Sequence, residues 1–328
     1  ARPFEKAMHG GFHEDSETGI VYTGMPGYGL CEISNDLKQW NKISNDPKLE
    51  GNIHGLVVFR HNDTTFIACA MNDDQSILIC NLNGTVLQEI KKPLGTEFAF
   101  QAANDYYTKY KDIESVSHDY DSLPDKVVQK YHVQSGTFSC TDVTYCQENQ
   151  KLYVVTGYCP GDFVLTLEEH DGVWQWGSTA WGGKGDALGQ FRTAHGIFSH
   201  NGFIYVANRE AKEVLQFTID GDVVQRLQGI PEGSRVCNIS HAKHHNYFII
   251  NPLAPIHKNQ SSAPIYAWTV EDQVISTIVP GDLGIPVLKH VHHVWPHYLP
   301  SGELTLMVHG WNKGKYAVLR HVPSLGKI

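Results

Sequence analysis

Histidine is the residue most able to do chemistry in this 328-residue chain, which carries 19 of them. His54 and His195 each precede a glycine, in IHGL and AHGI, and His293 lies in VHHV. Three imidazoles on one point, with a fourth position left open, are what a catalytic zinc requires. The same donors also suit copper, iron or nickel. His9 in MHGG and His309 in MVHGW are further candidates. Tyr158 in TGYCPGDF and Arg209 in ANREA add a phenol and a guanidinium. A phenol beside a dication and a guanidinium should have a lowered pKa, bringing it toward the range useful for a base.

These residues can meet only if the chain brings them together, and a repeat does so. AHGIFSHNGFIYVANREAKEVLQFTIDGDVVQRLQG, residues 194–229, reads as four short strands separated by Asn-Gly and Asp-Gly turns. The same grammar recurs at 53–90, at 140–177 and, with a longer insertion, at 237–279, and in weaker form at both ends of the chain. Four-strand units of about 40–45 residues are blades of a β-propeller. The expected fold is therefore all-β, a single six-bladed propeller over residues 1–328 with NHL-like four-stranded blades. The last copy shows three clear strands, and residues 2–7 are candidates for a fourth that closes the ring.

The first strand of each blade lines the central channel. Aligned on their second strands, the first strands begin at or beside His9, His54, Thr141, His195, Asn238 and His293. His54, His195 and His293 belong to blades two, four and six, about 120° apart around a sixfold ring. They are the expected metal trio. Strand direction puts the loops between second and third strands on the same face, so Tyr158 and Arg209 are expected at the rim above the metal. The connection over about 91–139 is much longer than the others. It reads as a lid over that face, with Thr96 as a helix N-cap and Ala99, Ala102, Tyr106, Tyr110 and Ile113 at helical spacing.

Composition limits the partners. With 26 basic against 35 acidic side chains the formal charge is −9, and there is no Lys/Arg cluster to suggest nucleic acid or an anionic membrane. No apolar run approaches the ~20 residues of a membrane span. A small-molecule or peptide substrate and a monomeric chain are expected. Among the seven cysteines, Cys69 and Cys80 flank a hairpin, and Cys140 and Cys159 lie at neighbouring strand ends. Both pairs are expected as disulfides. With Asn-x-Ser/Thr sequons at Asn62, Asn83, Asn238 and Asn259, they suggest a secreted, secretory-pathway or periplasmic protein.

CTDVTY, GYC, GKGDALGQF, AHGIF and ANREAKEVLQF, all within residues 140–229, resemble the peptidyl-α-hydroxyglycine α-amidating lyase family of NHL-repeat propellers. The resemblance implies a zinc on His54, His195 and His293, a catalytic tyrosine at Tyr158, a site arginine at Arg209 and a Cys140–Cys159 pair. It also implies cleavage of a hydroxyglycine N–C bond to an amide and glyoxylate, and a structural calcium. The departures are local. YTGMPGYG in blade one lacks the family's second arginine, Val291 stands for a methionine, Val294 for the calcium-site aspartate and Thr156 for an acidic residue.

The functional expectation is a metal-dependent lyase acting on a small or peptidic hydroxylated substrate, with an altered pocket. The alternatives are a copper- or iron-dependent oxidoreductase on the same histidines, and a non-catalytic propeller that binds a protein partner. Fold alone does not choose among them.

Overall fold

The computed structural model describes residues 8–94, 98–113, 136–269, 271, 273–310 and 316–320. Their strands form six antiparallel sheets arranged as a six-bladed propeller, in order of sequence. Blade one is β1 (His13–Glu14), β2 (Val21–Met25), β3 (Gly29–Ile33) and β4 (Trp40–Lys42). Blade two is β5 (Ile53–His61), β6 (Thr64–Met71), β7 (Ser76–Asn81) and β8 (Val86–Lys91). Blade three runs β9 (Asp142–Cys146), β10 (Lys151–Val155), β11 (Phe163–His170) and β12 (Val173–Gly182). Blade four is β13 (Ala194–His200), β14 (Phe203–Asn208), β15 (Glu213–Thr218) and β16 (Val223–Arg226). Blade five is β17 (Val236–Ala242), β18 (Tyr247–Pro252), β19 (Ile265–Thr269) and β20 (Gln273–Ile278). Blade six has three strands among the described residues, β21 (His293–Tyr298), β22 (Leu304–His309) and β23 (Tyr316–Arg320). The closing strand expected from residues 2–7 lies outside the described residues.

Turn chemistry sets the hairpins. Asn201 and Gly202 both take positive φ, 50° and 71°, between β13 and β14, the double left-handed turn that matches strand twist. Burial then follows radius. The middle strands are apolar along most of their length because blades cover both faces, as in IYVA of β14 and IACAM of β6. The outermost strands β16 and β20 are mostly exposed. Six apolar clusters fill the six gaps between neighbouring blades. The last joins Met8, Phe12 and Met25 of blade one to Trp295 and Met307 of blade six, so side chains close the ring.

Within the described residues of the long connection, helix α1 spans Gln101–Lys109. Its N-cap is Phe100, which makes no side-chain cap, and it buries Ala103 and Tyr107. The helix thus starts later and on a different stripe than the sequence suggests, and Thr96 is not among the described residues. Tyr107 joins Phe98 and Phe138 in the apolar cluster between blades two and three.

All seven cysteines are free and buried, which corrects both expected disulfides. Cys69 is paired with Leu78 and Cys80 with Ile67, so the two are diagonal neighbours. Their thiols are close enough to hydrogen-bond, and that contact together with burial raises the Cys69 thiol well above its ordinary pKa, so the pair stands as two adjacent free thiols. Cys140 turns its thiol to the Ser76 carbonyl at 3.3 Å, and Cys159 turns to the Thr156 carbonyl at 3.1 Å. The argument for an oxidising compartment that rested on disulfides goes with them. Among the described residues, no helix is long and apolar enough to cross a membrane.

Candidate functional site

The first strands open with a β-bulge in three blades. Pairing shifts register between Ile53 and Gly55, between Ala194 and Gly196, and between Val236 and Asn238. A bulge re-aims the extra residue, here His54, His195 and Cys237. The glycine that follows each histidine is structural. A Cβ on Gly55 would lie 2.2 Å from the Asp142 carboxylate, and one on Gly196 would lie 2.4 Å from the Cys237 carbonyl. Neighbouring first strands therefore approach closely, and each imidazole reaches the next blade. His54 Nδ1 donates to the Thr141 carbonyl at 2.6 Å, and His195 Nδ1 donates to the Cys237 carbonyl at 2.9 Å. These bonds fix the tautomer and leave each Nε2 as a lone pair.

In blade six the inward residue is His292, not His293. His54 and His292 have ring centroids 5.0 Å apart, and His195 lies 4.9 Å from each. His9 lies 4.2 Å from His54 and 4.6 Å from His292, with Nδ1 on Asn52 Oδ1 at 2.8 Å. His293 faces blade one instead. Its Nδ1 accepts from the Phe12 amide at 3.4 Å, and its ring stacks on His309 at 5.8 Å. A one-residue shift along a strand moves a side chain to the opposite face, which is why the register matters here. His309 is 5.7 Å from His292 and stays at the edge of the cluster. Cys237, rather than Asn238, holds the blade-five position beside Arg209.

The signal for this register lies in the flanking apolar residues. Ile53 and Leu56 bracket His54, Ala194 and Ile197 bracket His195, and Val236 and Ile239 bracket Cys237, as Val291 and Val294 bracket His292; all eight are buried. Aligned this way, VHHV assigns the first of its two histidines to the channel.

The structure brings Tyr158 and Arg209 to the same place. Arg209 Nη1 donates to the Tyr158 hydroxyl at 2.7 Å, and that hydroxyl lies 2.9 Å from His195 Nε2. Because Nδ1 of His195 carries the ring proton, Nε2 accepts, so the phenol must donate to it. Hydrogen bonds run in one direction, from Arg209 to Tyr158 to His195. Arg209 is anchored through Nε to Glu210 at 2.9 Å, and Glu210 also takes Arg235 at 2.7 Å. Asp162, from the same TGYCPGDF stretch, binds the strand that carries His195. Its carboxylate accepts from the Thr193 and Ala194 amides at 2.5 and 2.7 Å. Thr193 has φ 68°, a left-handed conformation that a β-branched residue rarely takes, and its carbonyl accepts the Arg209 amide at 3.0 Å. This one residue thus ties the backbone segments that carry His195 and Arg209 to the Asp162 end of the Tyr158 loop.

Burial sets the electrostatics. Desolvation holds His54, His195 and His292 well below the ordinary imidazole pKa, with the neighbouring imidazoles or Arg209 adding to it. His9 is lowered for the same first reason. All four are neutral, the state that binds metal. With no ion beside it, burial pushes Tyr158 up to about 12 against the pull of Arg209. The phenol is therefore protonated in the metal-free protein.

A metal fits the donors present. His54 Nε2 and both nitrogens of His292 are buried without a hydrogen-bond partner among the described residues. The ligand atoms of His9, His54 and His292 lie within 4.8 Å of one another. Buried polar atoms normally find partners, and an imidazole-only set suits zinc, copper, iron or nickel.

No protein-family model matches the sequence, and no curated protein matches it. Solved structures do resemble the fold. A putative 6-phosphogluconolactonase from Bacteroides uniformis is 11% identical with a TM-score of 0.58, over 96% of this chain and 82% of that one. Virginiamycin B lyase from Staphylococcus aureus is 11% identical with a TM-score of 0.53, over 97% and 96%. A protein from Lactobacillus plantarum is 8% identical with a TM-score of 0.54, over 96% and 81%. At these identities the likeness is one of fold.

Proposed function

We propose that this protein is a metal-dependent lyase acting on a small or peptidic hydroxylated substrate at the histidine face of the propeller channel. The observation that carries the reading is the His9, His54 and His292 cluster, with buried unpartnered nitrogens, directly beside a Tyr158–Arg209 pair. That the virginiamycin B lyase named above is itself a lyase on a propeller is consistent with the reading and adds no weight to it.

His9, His54 and His292 would hold the ion, in place of the His54, His195 and His293 trio expected from sequence. Bound there, zinc supplies Lewis-acid polarisation of a substrate oxygen. The chain's own residues supply the proton path. Tyr158 offers its O–H to His195 Nε2, which is neutral and can take the proton. Arg209, fixed by Glu210, stabilises the oxygen left negative on Tyr158. A substrate hydroxyl near Tyr158 can then give up its proton to that oxygen. Arg209 already engages Tyr158 and Glu210, so a substrate carboxylate is not its main partner.

The test has two parts. Protein purified without added metal should contain zinc, and His54→Ala and His292→Ala should each lose most of it while His293→Ala keeps it. Wild-type protein should release glyoxylate from an N-acyl-α-hydroxyglycine peptide, and Tyr158→Phe should slow that release by about 10²-fold or more. Metal retained in a His54/His292 double variant would refute the site. Zinc without turnover would leave the site standing and remove the substrate class.

A copper- or iron-dependent oxidoreductase is the second reading, favoured by the fourth imidazole, His195, against both His54 and His292. Copper or iron in place of zinc in the purified protein would select it.

A further inference from the structure

Four imidazoles face one another, yet they are not equivalent. His54 and His292 are shared neighbours of His9 on one side and of His195 on the other. His9, His54 and His292 bring their ligand atoms within 4.8 Å of one another, while His195 is outside that group. What distinguishes His195 is that its Nε2 is taken by the Tyr158 hydroxyl at 2.9 Å, with Arg209 holding that hydroxyl from behind. The tie is rigid, because Tyr158 is buried and His195 Nδ1 is fixed on the Cys237 carbonyl.

We propose that Tyr158, besides its part in the proton path, holds His195 off the metal, so that three histidines bind the ion and a further coordination position stays open to an exogenous oxygen. The inference rests on the metal reading above. Its physical basis is the difference between closed and open metal sites. Four protein ligands make a structural site, whereas three leave room for water or substrate. Four inward histidines would close this centre unless one were otherwise engaged. Removing the hydroxyl leaves His195 Nε2 as a bare acceptor beside the cluster, where a small ring tilt turns it into the fourth ligand.

The experiment uses the full chain loaded with Co(II), compared as wild type, Tyr158→Phe and a Tyr158→Phe/His195→Gln double variant. Visible absorption is recorded with and without azide as the exogenous ligand. Wild type should show an azide-dependent change in its Co(II) bands. Tyr158→Phe should bind Co(II) but lose the azide response, and release the metal to a chelator about ten-fold more slowly, the scale on which an outer partner tunes a site. The double variant should regain the azide response. A role confined to packing would move none of these bands. An azide response in Tyr158→Phe equal to wild type would overturn the proposal while leaving the metal site intact. Failure of wild type to bind Co(II) at all would overturn the metal reading and this inference with it.

Discussion

At the scale of single residues, the histidines are the largest liability in the fold. His9, His13, His54, His195, His292, His293 and His309 are each lowered from the ordinary 6.5, first by burial, with His13 near 4 and His309 near 3. Below about pH 6.5 the unfolded chain takes up protons that the folded chain refuses, so stability is full above that pH and falls as the pH drops toward the folded values. Asp142 and Asp162 act in the opposite sense. Burial raises both to about 7, so the folded state holds their protons where the unfolded chain has released them. His200 and His241 are lowered by burial as well, and Asp74 is raised, so nine groups against three decide the sign. Each net proton changes the slope by about 1.4 kcal/mol per pH unit. Metal-free protein should therefore show a urea midpoint that drops clearly between pH 7 and pH 5. A midpoint that holds or rises over that interval would mean that these imidazoles are not neutral and buried. Residue types were readable from the sequence, but their protonation was not. For Tyr158, enclosure by the blades outweighs the pull of Arg209 when no ion is present, a balance that residue types alone do not give.

At the scale of elements, the Tyr158 loop is tied to the histidine strand by Asp162 rather than stapled by a disulfide. Two buried amides depend on that one carboxylate, and a donor left bare costs about 1–3 kcal/mol. Asp162→Ala should lower stability by that amount for each amide, and Asp162→Asn should recover part of it by keeping one acceptor. Urea unfolding of the three proteins checks this, and wild-type stability in Asp162→Ala would remove the tie. The turn residues made this stretch legible as a rim loop between β10 and β11. The tie itself was not legible, because it joins residues about thirty positions apart, 162 to 193 and 194. The first strands were legible as strands and mis-registered in two blades. Bulges add a residue that period-two reasoning does not count, and in VHHV either histidine satisfies a residue-type match. Cysteine spacing misled for a different reason. Spacing across a hairpin says which thiols meet, as Cys69 and Cys80 do, but not that they are joined.

At the scale of the whole molecule, blade number and order were legible because turn grammar repeats with the blade. How the ring closes was not, since that depends on contacts between the two ends of the chain. Side chains on the first and last blades do much of that work. Glu14 of β1 sits almost buried between blades five and six. It accepts from Lys243 at 2.7 Å and pairs with His297 Nδ1 at 2.9 Å, and His297 Nε2 reaches back to the Asn35 carbonyl of blade one at 2.8 Å. His297 is fully buried, so it depends on these partners in place of water. Removing Glu14 leaves the buried His297 Nδ1 without its partner, at a cost of about 1–3 kcal/mol. Glu14→Ala should therefore destabilise the propeller by that order, more than removal of an exposed pair such as Lys38–Asp36. If closure is the reason, the loss should appear as cooperative unfolding of the whole ring at lower urea, with the transition as steep as in wild type. A Glu14→Ala protein as stable as wild type would show that the apolar cluster of Met8, Phe12, Trp295 and Met307 closes the ring unaided.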